Sequence, residues 1–255
     1  MHQVSVNLDL DKFPLTVALR KKIRGILIAR MNVVDIPIKL NEGFSLYTDK
    51  LDTLDLLVNK EYEPSETKMI KKSLKRGMIG LDIGANIGYY SILMAERCKK
   101  VYSFEPQNDN YKILKRNILL NNCENKIIPE RKALANYTGR AALKINRFNN
   151  GGHSIAMKFN VLDRKAIETV DCIKLDDYFI NKPNPEIIKM DVEGYEREVI
   201  QGGESVFKSA KFIAFENDAE MLRRRGQEED SIIKIFKGWG FKIARINKSN
   251  LFAYK

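Results

Sequence analysis

The residues best suited to chemistry lie at 82 to 88, where Asp82-Ile83-Gly84-Ala85-Asn86-Ile87-Gly88 follows an apolar run and precedes the helical pattern Tyr89 to Arg97. A strand, a glycine turn and a helix in that order give a glycine motif its meaning. Gly84 lets the backbone turn tightly and a ligand approach where a Cβ would clash, while Gly88 allows close helix entry. Glu105 ends the next apolar run, 21 residues after Gly84, where a carboxylate can accept both hydroxyls of a ribose. The spacing Gly84-x-x-x-Gly88 lacks the G-x-G-x-x-G that seats a pyrophosphate on a helix N-terminus. An acidic, polar turn suits the amino-acid portion of a cofactor instead, with Asp82 toward an ammonium and Asn86 toward a carboxylate.

A second set of candidates sits at the ends of later runs, where open α/β sheets bind ligands. Asp191 and Glu193 close the run Ile187 to Met190. Asp191 suits a general base and equally the cap of a following helix. Glu193 with Gly194 suits a turn as well as catalysis. Glu216-Asn217 lies 25 and 26 residues beyond Asp191. Asp191 with that pair has the oxygen ligands of a Mg²⁺ site, an alternative set behind a lone carboxylate that contacts substrate or orders its loop. His153, one of two histidines, lies in Asn149-Asn150-Gly151-Gly152-His153-Ser154 and is a further candidate base. Ser154 and Asn150 are candidate contacts to substrate hydroxyls.

The elements that must carry these residues follow from apolar spacing. Strands are expected at Ile79 to Ile83, Val101 to Phe104, Lys126 to Pro129, Ile187 to Met190 and Phe212 to Phe215, alternating with helices as in a parallel sheet. Phe241 to Ile246 and Leu251 to Tyr254 read as a closing hairpin. The alternation lapses between Ala135 and Val170, which reads as an inserted hairpin and loop. Upstream, Leu15 to Met31 spaces apolar residues four apart as an amphipathic helix. Short strands at Val33 to Leu40 and Phe44 to Thr48 follow, then helices at Asp52 to Asn59 and Ser65 to Arg76, the latter with Ser65 as its cap. Residues 1–77 are therefore expected to form a small N-terminal cap and residues 78–255 the main domain.

Composition narrows the function classes. With 255 residues and 44% hydrophobic content the chain can bury a sizeable core. Cys98, Cys123 and Cys172 form no C-x-x-C pair, so neither a zinc site nor a disulfide framework is expected, and a cytoplasmic setting fits. No apolar run approaches a membrane span. The net charge of +11 divides as 14 basic and 10 acidic residues through Gly77 and 30 and 23 thereafter, so no segment is a dedicated nucleic-acid arm.

The runs Gly-Leu-Asp-Ile-Gly-Ala-Asn-Ile-Gly-Tyr-Tyr-Ser, Val-Tyr-Ser-Phe-Glu-Pro and Ile-Ile-Lys-Met-Asp-Val-Glu-Gly-Tyr-Glu, followed by Gly202-Gly203, closely resemble the FkbM family of methyltransferases over about residues 78–217. Asp191-Val192-Glu193-Gly194 is the most specific piece. The resemblance implies a Rossmann-like class I methyltransferase sheet, mostly parallel with a C-terminal antiparallel hairpin, S-adenosyl-L-methionine as cofactor, and O-methylation of a small hydroxylated acceptor such as a sugar. It places Asp82, Gly84, Asn86 and Gly88, with Ala85 and Tyr89 beside them, around the methionine portion. Glu105 falls on the ribose, Pro106 and Gln107 along the adenosine edge, and Ala133 and Leu134 near the adenine, with Lys132 a solvated charge and Asn136 a weaker candidate. The catalytic set is then Asp191, Glu193, Glu216 and His153. An RNA ribose methyltransferase, prompted by the charge and by Arg223-Arg224-Arg225, is the enzyme alternative. A non-catalytic module docking its amphipathic helix on a partner or membrane surface is the other.

Overall fold

The computed structural model describes residues 17–30, 33–52, 54–145, 154–155 and 167–255. After α1 (Val17–Arg30) comes a 3-10 turn at Val33–Asp35 and a short hairpin of β1 (Ile38–Lys39) and β2 (Ser45–Leu46). The run Val33 to Leu40 is thus not one strand, because Pro37 has no amide to pair. The helix expected from Asp52 is only α2 (Leu56–Asn59). Asp52 is buried and accepts the amides of Leu56 at 3.0 Å and Leu57 at 3.1 Å, so its carboxylate closes the preceding turn. In α3 (Pro64–Ser73), Glu63 occupies the cap position and Pro64 the first turn, ahead of the expected Ser65, because proline gives up no useful amide there.

The main domain continues as β3 (Ile79–Ile83), α4 (Tyr89–Ala95), β4 (Lys100–Phe104), α5 (Asn108–Leu120), β5 (Ile127–Glu130), β6 (Ala133–Leu134), β7 (Gly139–Lys144), β8 (Ser154–Ile155) and β9 (Ile167–Ile173). Then come α6 (Leu175–Phe179), β10 (Ile187–Met190), α7 (Glu196–Gly202), α8 (Glu204–Ser209), β11 (Phe212–Glu216), α9 (Ala219–Arg224), α10 (Ser231–Gly238), β12 (Lys242–Arg245) and β13 (Asn250–Tyr254). Seven strands form one sheet in the order β12-β13-β11-β10-β3-β4-β5. The run from β11 to β5 is parallel, and β13 enters antiparallel between β11 and β12, as the sequence led us to expect.

The interruption after Ala135 is more regular than expected. β7 and β9 make the hairpin, and β6 and β8 extend it to a second sheet in the order β6-β9-β7-β8. In β9 the buried Val170 and Cys172 alternate with exposed Thr169 and Asp171, so only one face joins the core.

The same period of two divides the main sheet between two apolar layers. Ile79, Leu81, Ile83, Ile188 and Met190 face one cluster, with Phe207 of α8 and Phe236 of α10. Ile187, Val101 and Phe252 face the other, with α4, Leu114 of α5, Ile70 of α3 and Leu46 and Leu56 further upstream. All seven residues of α4 are buried, because α3 covers the side turned from the sheet. On this second face the strand period also places Lys189 and its register partner Asp82, two charges inside the fold.

Candidate active site

A cleft with a cavity volume of about 190 Å³ lies at the carboxyl ends of β3, β4 and β10. At one end, Glu105 is held by backbone donors: the Asn86 amide gives to Oε2 at 2.8 Å and the Gln107 amide to Oε1 at 2.9 Å. Burial pushes this carboxyl up to about 7, against the pull of those two amides. Asn86 has a left-handed backbone, φ 50°, and its side-chain oxygen is buried with no hydrogen-bond partner. Pro106, Ala133, Leu134 and Leu143 complete an apolar wall.

Glycine is needed at the turn for packing. A Cβ on Gly84, φ 78°, would overlap the Asp191 carbonyl oxygen, because the chain leaving β10 crosses directly over the turn. A Cβ on Gly88 would lie 2.5 Å from Leu114 Cδ1, which sets how closely α4 and α5 approach. Asp82 sits beneath the turn rather than in the cleft. Ser91 Oγ donates to its Oδ2 at 2.5 Å, and burial pushes the carboxyl up to about 6 despite that bond.

The other end of the cleft is built from charge. Asp191, its side chain 27% exposed, lines the wall, and Lys189 Nζ lies 3.4 Å from its Oδ2. Lys189 itself is 2% exposed, and its Nζ lies 3.1 Å from Oε1 of the fully buried Glu66 on α3. Burial opposes the ammonium, but Asp191, Glu66 and Glu63 outweigh it and hold Lys189 well above the ordinary lysine value. Burial pushes Glu66 up to about 7, with Lys189 pulling it back. Asn250 Nδ2 bridges Glu66 at 2.6 Å and Glu63 at 2.9 Å, and the Tyr90 hydroxyl donates to Glu63 at 3.0 Å. Tyr62, Tyr90 and Leu54 close this end.

Glu193 lines the same end with a left-handed backbone, φ 53°. Burial, followed by repulsion from Asp191 and Glu196, pushes its carboxyl up to about 8. Glu216 lies behind the wall; burial and then Asp191 push it up to about 9. Both are therefore shifted toward the protonated form, and Asp191 stands in a neighbourhood rich in acid.

The methyltransferase FkbM domain matches residues 82–243. The chain belongs to the FkbM methyltransferase family. A curated relative, the hexuronic acid methyltransferase AglP of Haloferax volcanii, is 25% identical over 172 residues, 64% of this chain and 69% of that protein. Among solved structures, the complex of aTrm5 with tRNALeu overlays with a TM-score of 0.50 at 16% identity, covering 88% of this chain and 53% of that one. The M. jannaschii tRNA m1G37 methyltransferase gives 0.47 at 16% identity over 88% and 56%. The chain spans about half the length of these two tRNA-methyltransferase structures, and the aTrm5 overlay speaks to the fold.

Set on this FkbM framework, the sequence candidates separate. Gly84, Ala85, Asn86, Tyr89, Glu105, Pro106, Ala133, Leu134, Asp191 and Glu193 line the cleft; Asp82, Gly88 and Glu216 do not. Gln107 caps α5 through the Asn110 amide at 2.6 Å, and Asn136 bonds Gln201 at 3.0 Å. Lys132 lines the cleft but pairs with Glu130 at 2.8 Å. Asp191 does not cap the next helix, which starts at Glu196 behind Tyr195; the Glu196 carboxylate takes the Gly194 amide at 3.1 Å. Asn217 Nδ2 is spent on the Glu229 carbonyl at 2.8 Å, and no group of three His, Cys, Asp or Glu among the described residues is arranged for a metal. His153 and Asn150 lie outside the described residues, as does the Ser154 side chain. Sequence reasoning missed Lys189, Glu66, Tyr62 and Tyr90. For Lys189 a signal existed, a lysine inside the apolar run Ile-Ile-Lys-Met.

Proposed function

We propose that the chain is an S-adenosylmethionine-dependent O-methyltransferase acting on a hydroxyl of a sugar or similar small acceptor, with the segment from Leu54 to Ser73 capping the acceptor end. The observation that carries this reading is one cleft with Glu105 at one end and Asp191 at the other. When bound, the cofactor supplies a methyl group on a positively charged sulfur. Glu105 accepts the ribose hydroxyls with the lone pairs its two amides leave free. The unpartnered Asn86 oxygen fits the ammonium of the amino-acid portion, while the shelf of Pro106, Ala133, Leu134 and Leu143 takes the adenine.

Alignment and exclusion of water supply much of the acceleration in such an in-line displacement. Tyr62, Tyr90 and Leu54 serve that exclusion. Asp191 would accept the O–H proton that the acceptor must lose when it is methylated. Glu193, which burial shifts toward its protonated form, offers the sugar a hydrogen-bond donor. The name of the AglP relative, a hexuronic acid methyltransferase, supports a sugar acceptor.

Incubation with methyl-labelled cofactor and a panel of hexuronic acid glycosides, neutral glycosides and RNA tests this. Label is expected on a glycoside. Label on RNA alone, or on nothing in the panel, contradicts the sugar reading.

A further inference from the structure

We propose that Glu66 and Lys189 are a positioning pair that fixes Asp191 at the cleft, so that α3 shapes the transfer step without touching the acceptor. The proposal rests on Asp191 acting as the base.

A buried ammonium is costly unless partners surround it, and removing a partner leaves an uncompensated charge. Lys189 springs from a central strand between buried Ile188 and Met190 and is 2% exposed, although it lies against the cleft wall beside Asp191. Its Nζ is shared between Glu66 at 3.1 Å and Asp191 at 3.4 Å, with the Tyr90 ring centroid 5.2 Å away. Of the two carboxylates, only Asp191 reaches the cleft.

Glu66 is anchored from behind. Asn250 of β13 ties its Oε2 and also Glu63, and Glu63 holds the Tyr90 hydroxyl that lines the cleft. One lattice therefore runs from β13 through α3 to β10. Neutralising Lys189 takes one carboxylate, yet two are supplied. The second has a use in the transfer step: when Asp191 takes the acceptor proton and loses its charge, Glu66 stays 3.1 Å from the ammonium as its remaining carboxyl partner, and Lys189 pulls it toward the ionised form.

The test uses the full chain with ¹⁵N-labelled lysine. A buried, bonded ammonium exchanges slowly and gives its own Nζ signal, assigned by its loss in Lys189→Met or, if that variant fails to fold, its change in Lys189→Arg. Glu66→Gln and Asp191→Asn are each expected to displace this signal, because each removes one of its two charged partners. In Glu66→Gln, turnover on the glycoside that accepts label should fall about tenfold or more while S-adenosylhomocysteine affinity stays within about twofold, and Glu66→Asp should restore part of the rate. A Lys189 signal unmoved by either substitution, or wild-type turnover in Glu66→Gln, overturns the proposal. If both substitutions displace the signal but Asp191→Asn turns over normally, the base assignment fails and the pair loses its role in the reaction.

Discussion

The two ends of the cleft are built differently. The Glu105 end comes from a contiguous stretch, residues 83–106, joined by a few segments after β5, and its polar contacts are backbone amides from neighbouring turns. The Asp191 end draws side chains from α3, β10 and β13, with Asn250 bonding a glutamate 184 residues away. A ligand portion that is always the same can be held by a local turn. The end that must admit a particular acceptor is assembled across the chain from charges that only the finished fold brings together.

The largest effect should come where the ends meet. Gly84→Ala places a methyl group on the Asp191 carbonyl in a backbone conformation that disfavours side chains, and should cost about 3 kcal/mol or more. Urea unfolding measures it, and near wild-type stability would show that the β10 chain is free to retreat from the turn. Next, Asp191→Asn should lower turnover by about 10²-fold or more while leaving S-adenosylhomocysteine affinity nearly intact, separating the acceptor end from the cofactor end.

How much of this was legible follows the same division. The glycine turn and Glu105 could be read because strand, turn and helix are adjacent in sequence. The strands of the main sheet could be read because both faces are covered, giving runs that are almost wholly apolar, unbroken in Phe212 to Phe215. The inserted hairpin was expected, but its strand β9 was given no bounds although Val170 and Cys172 carry the alternation of a half-buried strand, because that alternation spans only a few residues. The Glu66 to Lys189 contact was not legible in any window, since helix α3 looks like an ordinary charged helix until its one fully buried carboxylate is seen.

A smaller effect tests the acid excess around Asp191. Glu216 is raised to about 9 in the folded chain from an ordinary 4.5, so between those values the folded state holds a proton that the unfolded state releases. Stability from this group is therefore full below about pH 4.5 and is lost as pH rises toward 9. Glu216→Gln should melt close to wild type at pH 5 and at a clearly higher temperature than wild type at pH 8, the gap widening as pH rises between those values. Equal melting at both values would mean that Asp191 and its neighbours do not burden Glu216. The smallest effect is expected at the rim of the cofactor end. Lys132 is 36% exposed and already paired, so Lys132→Ala should change S-adenosylhomocysteine affinity by less than about threefold.

The central claim, that this cleft holds S-adenosylmethionine with Glu105 on its ribose, is tested most directly by calorimetric titration of S-adenosylhomocysteine into wild type and Glu105→Ala. Loss of a charge-assisted, bidentate contact of about 2–3 kcal/mol should weaken binding roughly 30- to 150-fold in the variant. No binding to the wild-type chain, or equal binding to both, would contradict it.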